Sequence, residues 1–351
     1  MGVNDFKQGG FNKIKITHKS SMREYERLRK DQRLAPEMPI KPLRVSPYSV
    51  DGRGIVAIVR SDNRKDGIME GIRLLGGLKP FLKGVEGEIV IKPNCNTDDP
   101  FPRNTHAETV KIIAKSLIEA DFPADRIVVG DISGRWRGLP TRNTMMNMGL
   151  LNVIDELGIN ASYFEEEDWV TVKHHLARTW LEGIRIPKRI YQAGRIIFTP
   201  IIRPHEDAIF SLSMKLAVGL MDVVARDWLH NGESLYEKLA EFNLAVSTDL
   251  SIVDGMKCYI DQGPEFKNMV EPKIMIVGND RVAVDAVTVA IMKQLGAYGV
   301  EIKPVREHEQ IILAERLGLG KSSIDDIVLR TSDLTDSQDF ESIVTRIKKE
   351  L

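Results

Sequence analysis

Seven short, uniformly apolar runs constrain this chain more than any other feature. "GIVAIV", "EIVIK", "RIVVG", "RIIFT", "LSIV", "KIMIV" and "DIVL" are rich in β-branched residues and carry no alternating polar face. A strand of that kind has to be buried on both sides, which an all-antiparallel sheet open to water does not provide. The runs predict strands over Gly54–Val59, Glu88–Lys92, Arg126–Gly130, Arg195–Thr199, Leu250–Val253, Lys273–Val277 and Asp326–Leu329. Between them lie helical patterns over Asp66–Gly76, His106–Asp121, Thr141–Leu157, Ala208–Ala225, Arg281–Leu295 and Glu307–Leu317. Strands alternating with helices give the expected fold class: α/β, a mostly parallel sheet covered by helices.

Three stretches fall outside the rhythm. Residues 161–187, with "EEED", "WVTVKHH" and "GIRIP", read as a small β-rich insertion in a single α/β domain over 54–330, and 331–351 as a C-terminal helix. Residues 1–53 read as a basic N-terminal extension ending in a proline-rich connector (Pro36, Pro39, Pro42, Pro47). The formal net charge of −1 conceals this asymmetry, because residues 1–50 carry +6 and the remaining 301 carry −7. The extension is therefore expected to lie on the acidic body or on a second copy of the chain. A nucleic-acid arm is the weaker reading, since nucleic-acid-binding domains present a basic face overall.

Charge and cysteine usage exclude several classes. No uncharged run approaches the roughly 18 residues of a spanning helix, and the N-terminus lacks the apolar core of a secretory signal. A cytoplasmic address is the expectation. Cys95 and Cys258 are the only cysteines, too few for a disulfide framework, a four-cysteine zinc site or an iron–sulfur cluster. "LGLGKSS" lacks the first glycine of a phosphate loop, "HEQII" lacks the second histidine of a zinc-protease helix, and "GDISGRWRG" has the wrong spacing for a dinucleotide fingerprint.

In open α/β sheets ligands bind beyond the carboxyl ends of the strands, and five of these strands end in polar clusters. "KPNCNTDDPFPRN" supplies Lys92, Asn94, Asn96 and Arg103; "DISGRWRG" follows Asp131 and supplies Arg135; "PIIRPHED" supplies Arg203 and His205. "VDGMKCYIDQGPEF" supplies Asp254, Asp261 and the Gly263-Pro264 turn, and "GNDRVAVD" supplies Asp280 and Asp285. Each has a structural reading as well: the asparagines as turn residues, Asp280 as the N-cap of the following helix. Two residues resist it. Asp285 sits among apolar neighbours in "VAVDAVTVAI", and Lys215 interrupts the apolar "AIFSLSMKLAVGLM". A charge in such a setting needs a partner or a cavity. Asp207, Ser211, Lys215 and Gly219 recur every fourth residue, which on a helix makes one polar stripe. "THAE" at Thr105 reads as a capping box, leaving His106 without a structural task.

The cations Lys92, Arg135 and Arg203 beside a helix start suit an anionic group, with Asn94 and Asn96 as neutral contacts. Asp131, Asp254, Asp280 and Asp285 are the candidate ligands of a divalent metal that would bridge to that anion. His205, Lys215 and His106 are the candidates for proton transfer or catalysis. Together they describe an enzyme or enzyme-like protein holding a small anionic metabolite in a cleft at the strand ends.

The order and spacing of these segments resemble the domain of unknown function 362 family. "IVIKPNCN", then "TH" opening a helix, then "VVGD-ISG", is similar to its first half, and "PIIRPHEDAIFSLSMKLAVGLM", "LSIVDGMKCYIDQGP" and "GNDRVAVDAVTVAIMKQLG" to its second. The resemblance implies Lys92, Asn94, His106, Asp131, His205, Lys215, Asp254, Gly263, Pro264, Asp280 and Asp285 as motif positions. Two departures stand out. Relatives often carry a ferredoxin-like segment with cluster cysteines, and this chain has none, so no iron–sulfur cluster is expected. Arg203-Pro204-His205 stands where the family usually has lysine-threonine-histidine, and an arginine cannot act as a lysine nucleophile. Two rival readings follow: a redox accessory working with a separate iron–sulfur partner, with Cys95 and Cys258 approaching one cleft, and a nucleic-acid binder using the extension and "RWR".

Overall fold

The computed structural model describes residues 13–48, 50–261 and 268–351. All seven expected strands form, and an eighth joins them. In chain order they are β1 (Gly54–Arg60), β2 (Ile89–Pro93), β3 (Ile127–Asp131), β4 (Asn160–Tyr163), β5 (Arg195–Thr199), β6 (Leu250–Gly255), β7 (Ile274–Gly278) and β8 (Ile327–Asp333). They make one sheet in the order β8-β1-β7-β6-β5-β2-β3-β4. Every pairing is parallel except those of β7, which runs antiparallel to both β1 and β6. The architecture is α/β, as the apolar runs required. The reversal of β7 has a direct consequence: its carboxyl end, with Asn279 and Asp280, lies at the opposite edge of the sheet from the carboxyl ends of the other seven strands.

Alternation sends the side chains of each strand into one of two apolar layers. Val90, Val128, Ile196, Phe198, Val253 and Ile276 face one, together with the buried helix Arg281–Gln294. Ile91, Val129, Ile197, Ile252 and Val277 face the other, against the helices Arg64–Leu75 and Ala107–Glu119.

Three expected segments fold differently. The pattern over Ala208–Ala225 is not one helix: Ile209–Phe210 pairs with Pro204–His205 as a two-residue ladder, followed by the helical turn Ser213–Leu216, a 3₁₀ turn Ala217–Leu220 and the helix Val223–His230. Thr141–Leu157 is two helices, broken where Gly149 takes φ 79°, a left-handed value that favours glycine. Residues 161–187 begin inside β4, the edge strand of the main sheet, and continue as a hairpin of Trp169–Val172 with Ile184–Pro187. At the other end β8 extends to Asp333, and the C-terminal helix begins at Phe340.

The N-terminal segment lies on the body. Thr17 caps the helix His18–Lys30. Its Ser21 Oγ accepts from the backbone of Gly138 and Leu139 at 3.2 and 3.0 Å, and its Tyr25 hydroxyl donates to Val223 O at 3.1 Å. Residues 36–38 pair with Thr171 of the hairpin, and Arg44 clasps the buried Asp249. The proline-rich connector is thus a strap along the domain.

Candidate functional site

One cleft of about 570 Å³ opens beyond the carboxyl ends of β2, β3 and β5. It gathers Lys92, Asn94, Asn96, Asp131, Arg135, Arg203, His205 and Lys215, which the sequence places in four separate segments. His106, Asp254, Asp280 and Asp285 are not among its lining residues.

At its floor, Lys92 Nζ lies 2.9 Å from Asp131 Oδ1, with both side chains buried. Lys92 also donates to Pro93 O at 2.7 Å, and Asp131 accepts from the backbone N–H of Cys95 and of Ile132 at 2.8 and 2.7 Å. Burial depresses the ammonium and raises the carboxyl, while their mutual attraction opposes both shifts. Asp131 therefore binds the β2 and β3 loops together; its oxygens already have donors, which removes it as an open metal ligand. The asparagine loop is fixed in the same way. Asn96 O accepts from Gly134 N at 2.8 Å, and a Cβ at Gly134 or Gly138 would collide with Asn96. Only glycine lets the two loops approach so closely.

The rest of the lining is rich in cations. Arg226 donates to Ser133 O at 2.7 Å, to Val218 O at 3.1 Å and to Ile132 O, so its guanidinium caps the end of β3. Arg203 donates to Arg103 O at 3.3 Å, and burial and then Arg103 push its pKa down to about 10, still charged at neutral pH. Lys215 is 8% exposed and makes no hydrogen bond or ion pair with any described residue. Burial, then the charge of Arg203, pushes its pKa down to about 7. His205 Nδ1 accepts from the backbone of Asp207 at 3.1 Å and Ala208 at 3.3 Å. Burial and the charges of Lys215 and Arg203 hold the ring well below its ordinary pKa. A neutral imidazole with Nδ1 as acceptor carries its proton on Nε2, so His205 is a hydrogen-bond donor in this state and not a ready base. His230, at about 4 for the same reason of burial first and Lys215 second, is also neutral.

Around the cleft five lysine and arginine side chains face three aspartates. Asp131 is spent on Lys92. Asp227 is spent on Tyr25 and on Arg135, the latter at 3.1 Å. Five cations against three carboxylates leave the cleft with an excess of positive charge. Tyr25, Asp207, Gly219, Arg226, Asp227 and His230 line it too, and the strand-end reading named none of these as site residues. The four-residue spacing of Asp207, Ser211, Lys215 and Gly219 did mark part of this lining, although the helix behind that argument does not exist; a ladder, a helical turn and a 3₁₀ turn deliver the same four residues.

The remaining candidates occupy other places. Asp254 alternates with Ile252 on the sheet face away from Lys92, where it accepts from Arg64 Nε at 2.7 Å and Thr109 Oγ1 at 2.6 Å. Asp280, at the far edge because β7 is reversed, caps Arg281–Gln294 through Val282 and Ala283 and accepts from Lys321 N at 2.9 Å. Asp285, fully buried, accepts from the backbone N–H of Ser213 and Met214, each at 2.8 Å. It anchors the turn that carries Lys215. The four aspartates thus do not form one metal centre, and no group of three His, Cys, Asp or Glu side chains that could hold a metal occurs among the described residues.

His106 is the N-cap of Ala107–Glu119, its Nδ1 accepting from Glu108 N at 3.1 Å. Thr105 makes no capping box; it accepts from Asn94 N at 2.8 Å and donates to Thr199 O at 2.7 Å, stitching the β2 loop to β5. Cys95 and Cys258 are buried in opposite layers, so they do not approach one cleft. In "RWR", Arg135 pairs with Asp227, Arg137 with Asp99, and Trp136 stacks on His18 at 4.8 Å. Gly263 and Pro264 lie outside the described residues. No helix among the described residues is long and apolar enough to cross a membrane.

A thylakoid-associated protein of Synechocystis sp. (strain PCC 6803) is 24% identical over 253 residues, covering 68% of this chain and 74% of that protein. The model of the domain of unknown function family DUF362 matches residues 89–290, which run from β2 through most of the helix behind β7 and include every lining residue named above except Tyr25. The cleft and the loops that build it fall within that match, and the chain belongs to the DUF362 family.

Proposed function

We propose that this protein is an enzyme or enzyme-like protein that holds a small anionic metabolite in the cleft between the Lys92–Asp131 floor and the Arg203–Lys215 wall. The observation that carries the reading is Lys215. It is a buried ammonium with no described partner, in a hollow it shares with Arg203 and the donor His205. Asp207 acts on the ammonium only from beyond ion-pair distance, and a bound carboxylate or phosphate would supply the direct contact that a buried charge otherwise lacks. Arg203, still charged, adds a second cation to the same cleft, and Asn94 and Asn96 add neutral polar groups to its lining. A divalent ion is not needed for the charge balance of this reading.

The reading is tested by titrating the purified chain with phosphate, oxalate and simple carboxylates and following thermal stability. Stabilisation that saturates, and that weakens in Lys215→Met and in Arg203→Met, supports it. If no anion stabilises the wild-type chain, or both variants respond as the wild type does, the assignment fails.

A further inference from the structure

We infer that Lys215 is a nucleophile, and that the anions suited to this cleft carry a carbonyl next to a carboxylate, which Lys215 captures as an imine. The inference rests on the anion reading above and goes one step further, from a charge to a bond.

Three features of the cleft converge on it. First, Lys215 is almost wholly buried yet makes no hydrogen bond or ion pair with a described residue, so no direct contact holds it as an ammonium. An amine surrounded by apolar walls and by other cations loses its proton readily, and this is one of the ways proteins activate lysine. Here the charged neighbours are Arg203, Asp207 and Arg226, the two arginines and burial outweighing the aspartate, with Leu216 and Val218 lining the same hollow. At a pKa of about 7 a large fraction of the amine is unprotonated at neutral pH. Second, Arg203 remains charged and lines the same cleft, so it adds electrostatic attraction for the carboxylate. Third, His205 is a neutral donor with its proton on Nε2, the form in which an imidazole polarises a carbonyl oxygen without first giving up a proton.

The chemistry balances within these groups. The unprotonated amine of Lys215 attacks the carbonyl carbon, forming a C–N bond as the carbonyl π pair moves to oxygen. The proton lost by nitrogen passes to that oxygen, giving a carbinolamine. A further proton transfer from nitrogen to the hydroxyl releases water and leaves the C=N bond. No oxidant, reductant or metal is consumed.

The turn that presents Lys215 is anchored through its backbone. Ser213–Leu216 is a single helical turn whose first N–H groups, those of Ser213 and Met214, are held by the fully buried carboxylate of Asp285. This ties the Lys215 backbone to the rigid helix behind it.

Borohydride trapping tests the inference on the full chain. The probes are glyoxylate, pyruvate and 2-oxoglutarate, with lactate and phosphate as anions lacking a reactive carbonyl. The expected result is a single reduced adduct, seen by intact mass for at least one of the three oxo acids and mapped by peptide sequencing to Lys215. It should be suppressed by excess phosphate and absent in Lys215→Arg. Adduct spread over exposed lysines, or none at Lys215 with any of the three, overturns the inference. If phosphate or lactate still stabilises the wild-type chain in that event, the anion reading survives alone; if none of the anions does, both fall. Peptide mapping on the wild-type chain decides the matter even if the arginine variant does not fold.

Discussion

Lys92 and Asp131 form a buried ion pair, Nζ to Oδ1 at 2.9 Å, directly beneath Gly219. The pair joins the ends of two parallel strands under the cleft. Removing one partner strands the other in a dry site, which typically costs about 3–5 kcal/mol. Lys92→Met is expected to lose stability on that scale in urea denaturation, and Lys92→Met with Asp131→Leu to recover much of it. Equal losses in the single and double variants would show that the pair is not what matters there.

Gly219 packs against the pair so closely that a Cβ would collide with Asp131 Oδ1 and with Lys92 Nζ and Cε. Overpacking of a tight site costs about 1–3 kcal/mol. Gly219→Ala should therefore lower the melting temperature and weaken anion binding together, because the displaced lysine belongs to the cleft floor. A variant with wild-type stability and binding would contradict the close packing.

The anion reading carries a pH signature. Lys215 has its pKa pushed down to about 7, mainly by burial. Protonation supplies the charge an anion needs, so the affinity for oxalate, which stays fully ionised over this range, should be highest below 7 and fall as pH rises through it. The bound anion itself favours the ammonium, which moves the midpoint upward in the complex. Lys215→Met should flatten the profile between pH 6 and 8, measured by calorimetry at constant ionic strength. The same group affects folding with the opposite sense: its folded pKa lies below the unfolded one, so its contribution to stability rises with pH from about 7 towards 10.5.

Asp285 never touches the cleft, yet it should govern it. Its carboxyl is raised to about 7 by burial, against the two backbone N–H groups it accepts. A carboxyl raised on folding stabilises fully below the unfolded value of 3.8 and loses that contribution as pH rises through about 7. Asp285→Asn removes this pH dependence, and its amide nitrogen cannot accept from the second N–H, leaving one donor unsatisfied at about 1–3 kcal/mol. The expected outcome is a lower melting temperature, a flatter stability profile between pH 4 and 7, and weaker anion binding through a loosened Lys215 turn. Unchanged binding would separate Asp285 from the site.

The sequence marked the strand ends as the place of interest, and eight of its candidates do meet there. Its misses have specific causes. Asp280 followed a strand whose direction no local pattern reveals, and antiparallel β7 put it at the wrong edge. Asp254 sat one residue out of phase with the cleft face, where it meets Arg64, a partner 190 residues away in sequence. Asp285 was correctly read as a charge in need of a partner, but the partners are two backbone N–H groups of a turn 71 and 72 residues distant. Arg226 and Tyr25 were invisible as site residues because each lies on an ordinary helical pattern, the second on a helix of the N-terminal segment.

By itself the sequence determined the fold class, because strands apolar on both faces have no stable home except a sheet covered on both sides. It also determined which residues are expensive to bury, since a lysine or aspartate among aliphatic neighbours is conspicuous whatever the fold. Only the tertiary structure decided how each of those costs is met. Asp131 answers Lys92, Arg64 answers Asp254, and backbone donors answer Asp280 and Asp285. Pairings of this kind depend on strand direction and on which face a residue occupies, and both are set by contacts far apart in the chain. Lys215 is left in the cleft with no ion pair or hydrogen bond to a described residue, Asp207 acting on it only from a distance.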